Sequence, residues 1–255
     1  MIDCHTHLSL SDFDADRDSV LEQARGAGVT HVAMVGQDLA ENRHVLEVAG
    51  ERTDLLVFLG LHPDRFADRG EAIPPEEVDG IEALIRQSRA ALTGIGEVGL
   101  DYWVCRDEAR KSAQREAFVR MIRLARELDL PLNVHSRSAG HYVIDLLIDE
   151  GAERVLLHAF DGRASHALRG VEAGFLFSVP PSIVRSDQKK KLVRALPLEA
   201  LTLETDSPVL GPEKGARNVP ANVVISLKAI AEIKNISEPE AQAVTTENAR
   251  RLFRL

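Results

Sequence analysis

The chain has no run of about 18 apolar residues, the shortest that reads as a bilayer-spanning helix, so no membrane span is expected. Cysteine is nearly missing. Cys4 and Cys105 are the whole supply, and two such distant thiols make no framework of paired spacings. A disulfide scaffold is thereby excluded, and a reduced, cytoplasmic setting is the simpler expectation. The opening MIDCHTHLSL lacks a basic start, an apolar core and a small-residue cleavage site, so no secretory signal is read. Positive charge is short as well: 31 Lys and Arg stand against 40 Asp and Glu, a net charge of −9. Proteins that grip nucleic acid by their surface field are usually basic, and this balance argues against a broad electrostatic DNA-binding face. It leaves phosphodiester chemistry open, because divalent metals can supply positive charge inside a cleft. Low-complexity tracts, Pro/Ser-rich linkers and long exposed apolar faces are lacking too. One domain over residues 1–255, working as a monomer without an obligate protein partner, is the expectation.

What is present is an alternation of short apolar runs with stretches of helical period. The runs are Ile2–Leu8, His31–Gly36, Leu55–Leu61, Leu92–Leu100, Leu132–His135, Val155–Phe160, Phe175–Val179 and Leu201–Leu203. Most are nearly continuous in apolar residues, as parallel strands covered on both faces should be. Between them lie segments such as DRDSVLEQARGAG and EAFVRMIRLAREL, with apolar residues at amphipathic helical spacing. Gly28, Gly151 and Gly174 precede strands where a left-handed helix cap would sit. The chain length of 255 residues is that of one α/β barrel, about 250. The fold class expected is therefore α/β, a (β/α)8 TIM barrel, with a doubly wound sheet as runner-up. Two further helices are read near Ala221–Lys234 and Pro239–Phe253.

The strand ends carry the chemistry. They present His5 and His7, His62, Glu97, His135 and Arg137, His158, then Glu204 and Asp206. In a barrel such ends converge on one rim. His5 and His7 are two apart and so share a strand face; Asp3 shares it by the same count and is a candidate acceptor for an imidazole N–H. One histidine in the core and one on a loop would be unremarkable, but a cluster of them with two carboxylates is costly to bury without a partner, and metal coordination removes the cost. The ligand set is read as His5, His7, Glu97, His135, His158 and Asp206, with Glu97 placed to bridge two divalent ions about 3.5–4 Å apart. The nitrogen-rich set favours zinc, manganese, iron or nickel over magnesium in a tight site, although ligand type alone does not choose among magnesium, manganese and zinc. Asp206 also suits general-base work. Glu204 either pairs with a ligand histidine or fills a polar barrel layer. Arg137 suits phosphate or carboxylate binding, or a salt bridge to a nearby acid. His62 is placed to orient substrate, to protonate a leaving group or to support another side chain.

These motifs, taken in order, resemble the TatD family of metal-dependent deoxyribonucleases within the amidohydrolase superfamily: DCHTHL, GLHP, GEVGLDYW, a helix with Gln114 and Phe118, PLNVHSR, HAFDG, ETDSP, ARNVP at Ala216–Pro220 and TTENARRLF. The resemblance spans Ile2 to Phe253. It implies the barrel, hydrolysis of DNA phosphodiester bonds, often as a 3′-to-5′ exonuclease, and the same six metal ligands, with His62, Arg137 and Glu204 near the scissile phosphate. This chain departs from the family pattern at Ala159 and Asp161 within HAFDG and at Ser138 after His-Ser-Arg. A carboxylate at Asp161 is expected to repel a DNA backbone. Tyr102 and Trp103 are read as rim aromatics that either stack on a base or cover the barrel mouth. Lys214 and Arg217 either touch phosphates or brace the loop after the last strand. The run Lys189-Lys190-Lys191 is read as a solvated helix surface, because consecutive helical side chains do not form one stripe, and Cys4 as a small core residue. Two other functions compete: a carboxylic ester or amide hydrolase of the same superfamily, for example D-aminoacyl-tRNA deacylase-like, and a metal-holding binding protein with little turnover.

Overall fold

Strands that are apolar on both faces need cover on both, and a parallel sheet wrapped by helices supplies it. The computed structural model describes residues 1–69 and 73–255. The strands are β1 (Ile2–Thr6), β2 (His31–Val35), β3 (Leu55–Leu59), β4 (Gly94–Gly99), β5 (Leu132–His135), β6 (Val155–Leu157), β7 (Leu176–Val179) and β8 (Leu201–Leu203). Each pairs in parallel with the next, in chain order. The last meets the first just beyond β8, where Ser207 bridges Thr6. There the His7 N–H donates to Ser207 O at 2.8 Å and the Asp206 N–H to His5 O at 2.9 Å. The sheet is thus a (β/α)8 barrel, and every apolar run of the sequence contributes a strand. Five of the runs, those of β1, β2, β3, β4 and β6, extend past their strands, and their final residues turn off the sheet and form the rim.

Among the described residues the helices are α1 (Arg17–Gly26), α2 (Leu39–Ala49), α3 (Pro75–Gln87), α4 (Glu108–Glu127), α5 (Gly140–Asp149), α6 (Ala164–Glu172), α7 (Asp187–Ala195), α8 (Val223–Lys234) and α9 (Glu238–Phe253). Gly28, Gly151 and Gly174 have φ of 87°, 64° and 86°, the left-handed backbone their positions after α1, α5 and α6 require. None of these helices is long and apolar enough to cross a membrane.

Alternation along the strands divides the core in two. Val32, Met34, Val57, Leu59, Val134 and Leu157 pack outward against the helices. Ala33, Val35, Leu56, Phe58, Leu156 and Leu176 form a separate cluster with Ile2, Cys4 and three residues of α9, Ala249, Leu252 and Phe253. This second cluster fills the barrel interior below the rim, and α9 seals its lower end, with Phe253 edge-to-face on Phe58 at 5.3 Å.

Candidate active site

Two strands lose regular register, β1 between Asp3 and Thr6 and β4 between Ile95 and Val98. Each irregularity contains a site residue, His5 in one and Glu97 in the other. Glu97 is buried, and its two oxygens face different partners. Oε2 lies 3.5 Å from Nε2 of both His5 and His7. Asp206 Oδ1 completes this group, 3.5 Å from His5 Nε2 and 3.3 Å from His7 Nε2. Oε1 lies 2.8 Å from His135 Nδ1 and from His158 Nε2, and 3.3 Å from His62 Nε2. Side chains from five strand ends therefore meet around one carboxylate. His62 comes closer than its sequence role required, joining Glu97 and His135 in one of three combinations among the described residues able to hold an ion; the other two are His5–His7–Glu97 and His5–His158–Asp206.

The donor set fits divalent metal. Among the described residues Glu97 Oε2 and His158 Nδ1 are buried with no hydrogen-bond partner, a cost a native interior rarely leaves in place. Burial pushes His5 down, yet the charges of Glu97 and Asp206 outweigh it and hold the imidazole up at about 10. Burial and the His5 charge push His158 down to about 4. Burial also works against the Glu97 carboxylate, but His62, His158 and His5 keep it well below its ordinary value. Positive charge is demanded between Glu97 and Asp206, and a divalent ion supplies it there without protonating rings that must act as ligands.

Neighbouring polar groups aim the imidazoles. Asn133 donates its amide N–H to Cys4 O at 2.8 Å, which turns its Oδ1 to His5 Nδ1 at 2.8 Å. His5 then carries its proton on Nδ1, and in the neutral ring the Nε2 lone pair faces Glu97. Gln37 sits 3.1 Å from His7 Nδ1, Asp101 3.1 Å from His135 Nε2, and Asp64 2.7 Å from His62 Nδ1. Gln114 ties two motifs together, accepting from Asp101 N and donating to Pro63 O. The sequence reading gave Asp3 the imidazole-orienting task, and the structure corrects this. Asp3 and Thr6 both keep register with outward-facing residues of β2, so the irregularity between them breaks the simple alternation. Asp3 instead accepts from Thr205 N at 2.8 Å and Thr205 Oγ1 at 2.5 Å, joining β1 to the segment after β8. Asn133, two before His135 on the same strand, was the available signal.

The cluster opens into a cavity of about 520 Å³, lined on one side by His7, His62, His135, His158 and Asp206 and on another by Leu10, Pro208, Val209 and Leu210. Arg137 lines it, exposed, with its guanidinium 5.1 Å from the Trp103 ring; among the described residues it makes no ion pair, so the salt bridge weighed for it is not formed. Trp103 is 54% exposed at the rim. Tyr102 does not reach the cavity: its hydroxyl accepts from Arg115 at 3.0 Å and its ring lies 5.2 Å from Tyr142. Arg217 is also elsewhere, held by Asp16 at 2.7 and 3.0 Å over the Phe13 ring, so it braces its loop. Glu204 is fully buried behind His158, accepting from Ala159 N at 2.9 Å and Ser178 Oγ at 2.5 Å, and burial raises it to about 7. Asp161 lines the cavity and accepts from the Ser138 N–H at 3.1 and 3.2 Å, bracing two rim loops. Lys189 departs most from the sequence reading, because it lines the cavity rather than forming a solvated surface.

Comparison with known proteins agrees with this geometry. The family described as TatD related DNase matches residues 2–254. Human Deoxyribonuclease TATDN3 is 47% identical over 99% of this chain and 94% of its own length. An uncharacterized metal-dependent hydrolase of Bacillus subtilis, YabD, is 34% identical over 100% of this chain and 99% of its own. The crystal structure of YJJV, a TatD homolog from Escherichia coli, superposes with a TM-score of 0.91 at 25% identity, covering 100% of this chain and 98% of that one. A barrel with a carboxylate at the meeting point of its strand-end histidines, matched over nearly its whole length, belongs to the TatD family of metal-dependent hydrolases.

Proposed function

We propose that this protein is a deoxyribonuclease that uses two divalent ions, of magnesium, manganese or zinc, to hydrolyse DNA phosphodiester bonds from 3′ ends, with the whole chain acting as one catalytic domain. The observation that carries the reading is the division of Glu97, one oxygen facing His5, His7 and Asp206 and the other facing His62, His135 and His158. His5, His7 and Asp206 would hold one ion, His135 and His158 the other, with Glu97 between them. When bound, such ions supply Lewis acidity toward a phosphoryl group. The DNA assignment is supported by the nuclease relative at 47% identity and by Arg137, a cation without an ion-pair partner among the described residues at the mouth of the cavity.

The protein's own groups then have distinct tasks. Asp206, at the edge of the cluster and lining the cavity, accepts the proton of the attacking water. Arg137 binds a non-bridging oxygen through its planar fork. His62 lines the cavity beside Glu97 and hydrogen-bonds the oxygen on the leaving side. Glu204 fixes the Ala159 peptide and with it the ligand His158. Trp103 offers a ring on which a base can stack. The two buried, free thiols suit a cytoplasmic setting.

The test is release of nucleotides from the 3′ end of single-stranded DNA by protein loaded with Mg²⁺, Mn²⁺ or Zn²⁺ in turn, with bound metal measured alongside. Asp206→Asn should cut turnover by about 10²–10⁴-fold with the fold retained. No nucleotide release with any metal, together with turnover of a carboxylic ester or amide, would replace this reading by the second hydrolase function.

A further inference from the structure

Lys189 lies in the first turn of α7, and the loop after β6 is anchored to that turn. The Gln188 amide donates to Gly162 O at 3.0 Å, and Lys189 Nζ donates to Ala159 O at 3.0 Å. The next two lysines continue around the helix while Lys189 points inward. An ammonium has three N–H donors, and Ala159 O takes one. Among the described residues no carboxylate comes within ion-pair distance of Nζ, although Asp161, Glu204 and Asp206 are near enough to act on it through space. The side chain thus brings a half-buried cation, with donors to spare, to the wall of the cavity that also holds Asp206 and Arg137. Its carboxylate neighbours act on it only from beyond ion-pair distance, so an entering anion gains a charge-assisted hydrogen bond that no protein group takes.

Resting on the phosphodiesterase reading above, we infer that Lys189 is a substrate-binding residue that holds a non-bridging phosphoryl oxygen and, with Arg137, selects an anionic phosphoester over a neutral ester. Its compact charge suits one oxygen, whereas the Arg137 fork suits two. Its bond to Ala159 O is a second task, because Ala159 has a left-handed φ of 42° and both its peptide groups are occupied, the N–H by Glu204 and the C=O by Lys189.

The experiment separates the tasks with Lys189→Met, Lys189→Gln and Lys189→Arg, all metal-loaded. Gln keeps a donor for Ala159 O without the charge. Titration with inorganic phosphate should show affinity weakened by about tenfold or more in the Met and Gln variants, as expected for a charge-assisted hydrogen bond, with the Arg variant close to wild type and metal content equal in all. The slope of log kcat/KM against log salt on single-stranded DNA should flatten by about 0.7, the loss of one phosphate contact. Unchanged phosphate affinity in the Met and Gln variants, or loss in Met alone, overturns the inference and leaves Lys189 a brace for Ala159; so does a fall in metal content in place of phosphate affinity. Lys189-dependent phosphate binding by a wild type that leaves DNA intact upholds the anion site and removes the nuclease reading instead.

Discussion

Replacing Gly60 by alanine adds one methyl group at the end of β3, and the structure says where it lands. The added Cβ falls 2.4 Å from Glu97 O, 2.5 Å from the carbonyl carbon of Gly96 and 2.7 Å from Glu97 N. All three are backbone atoms, so no side chain can swing aside. Asn42 holds Gly60 from the other direction, accepting its N–H at 3.0 Å and donating to its C=O at 2.8 Å. Restoring ordinary contact therefore shifts β4 at Glu97 by about half an ångström or more. Overpacking of this kind costs about 1–3 kcal/mol, or roughly 2–4 °C in Tm for each kcal/mol in a chain of this size. The functional cost is larger, because a misplacement of about 1 Å at the reacting centre can lower the rate about 100-fold. Thermal melting, bound-metal analysis and turnover on one preparation give all three quantities. Gly26→Ala is the control: among the described residues nothing lies within 4 Å of its added Cβ, and at the last residue of α1 it should leave Tm, metal content and turnover unchanged. A Gly60→Ala protein that melts, binds metal and turns over like wild type would refute the claim that β3 packs against the backbone of the bridging carboxylate.

Four further outcomes are expected. Asn133→Ala should weaken metal binding about 10–100-fold, read by competition with a chelating dye; unchanged affinity would mean that His5 needs no help to face the ion. Stripping metal with a chelator should lower Tm, because an ion at a thousandfold excess over its Kd stabilises by about 4 kcal/mol, and re-addition should restore it; an unmoved Tm would count against any buried ion site. Trp103→Ala should raise KM on single-stranded DNA by an amount worth about 1–3 kcal/mol and leave kcat intact, whereas an unchanged KM would make the ring a mere cover. Arg217→Ala should change Tm little, since exposed ion pairs contribute about 0–1 kcal/mol, and kcat/KM should stay within about twofold; a large fall in kcat/KM would put Arg217 back on the substrate.

The barrel and its rim were legible because the strands are apolar on both faces and end in polar residues of few types. Those ends give His5, His7, Glu97, His135, His158 and Asp206 without knowledge of the pairing. What alternation cannot foresee is an irregular strand. The shift between Asp3 and Thr6 sends Asp3 to Thr205 and leaves His5 to Asn133, a residue more than a hundred positions away. Helix orientation was hidden in the same way: three consecutive lysines look alike in sequence, and only the docking of α7 on the Ala159–Gly162 loop sets Lys189 apart. Arg217 shows the opposite limit, a cation near the motif in sequence but claimed by Asp16, on a distant loop.

The apolar plug beneath the ligands has a consequence for traffic. With Phe58, Leu156, Leu176 and Phe253 filling the cylinder below the rim, the site has a closed floor. A polymer cannot thread down through that floor, so on the proposed nuclease reading the substrate strand and the cleaved fragment both lie on the rim side. Product and incoming substrate then share one face of the barrel, and added nucleotide should slow turnover as a competitive inhibitor.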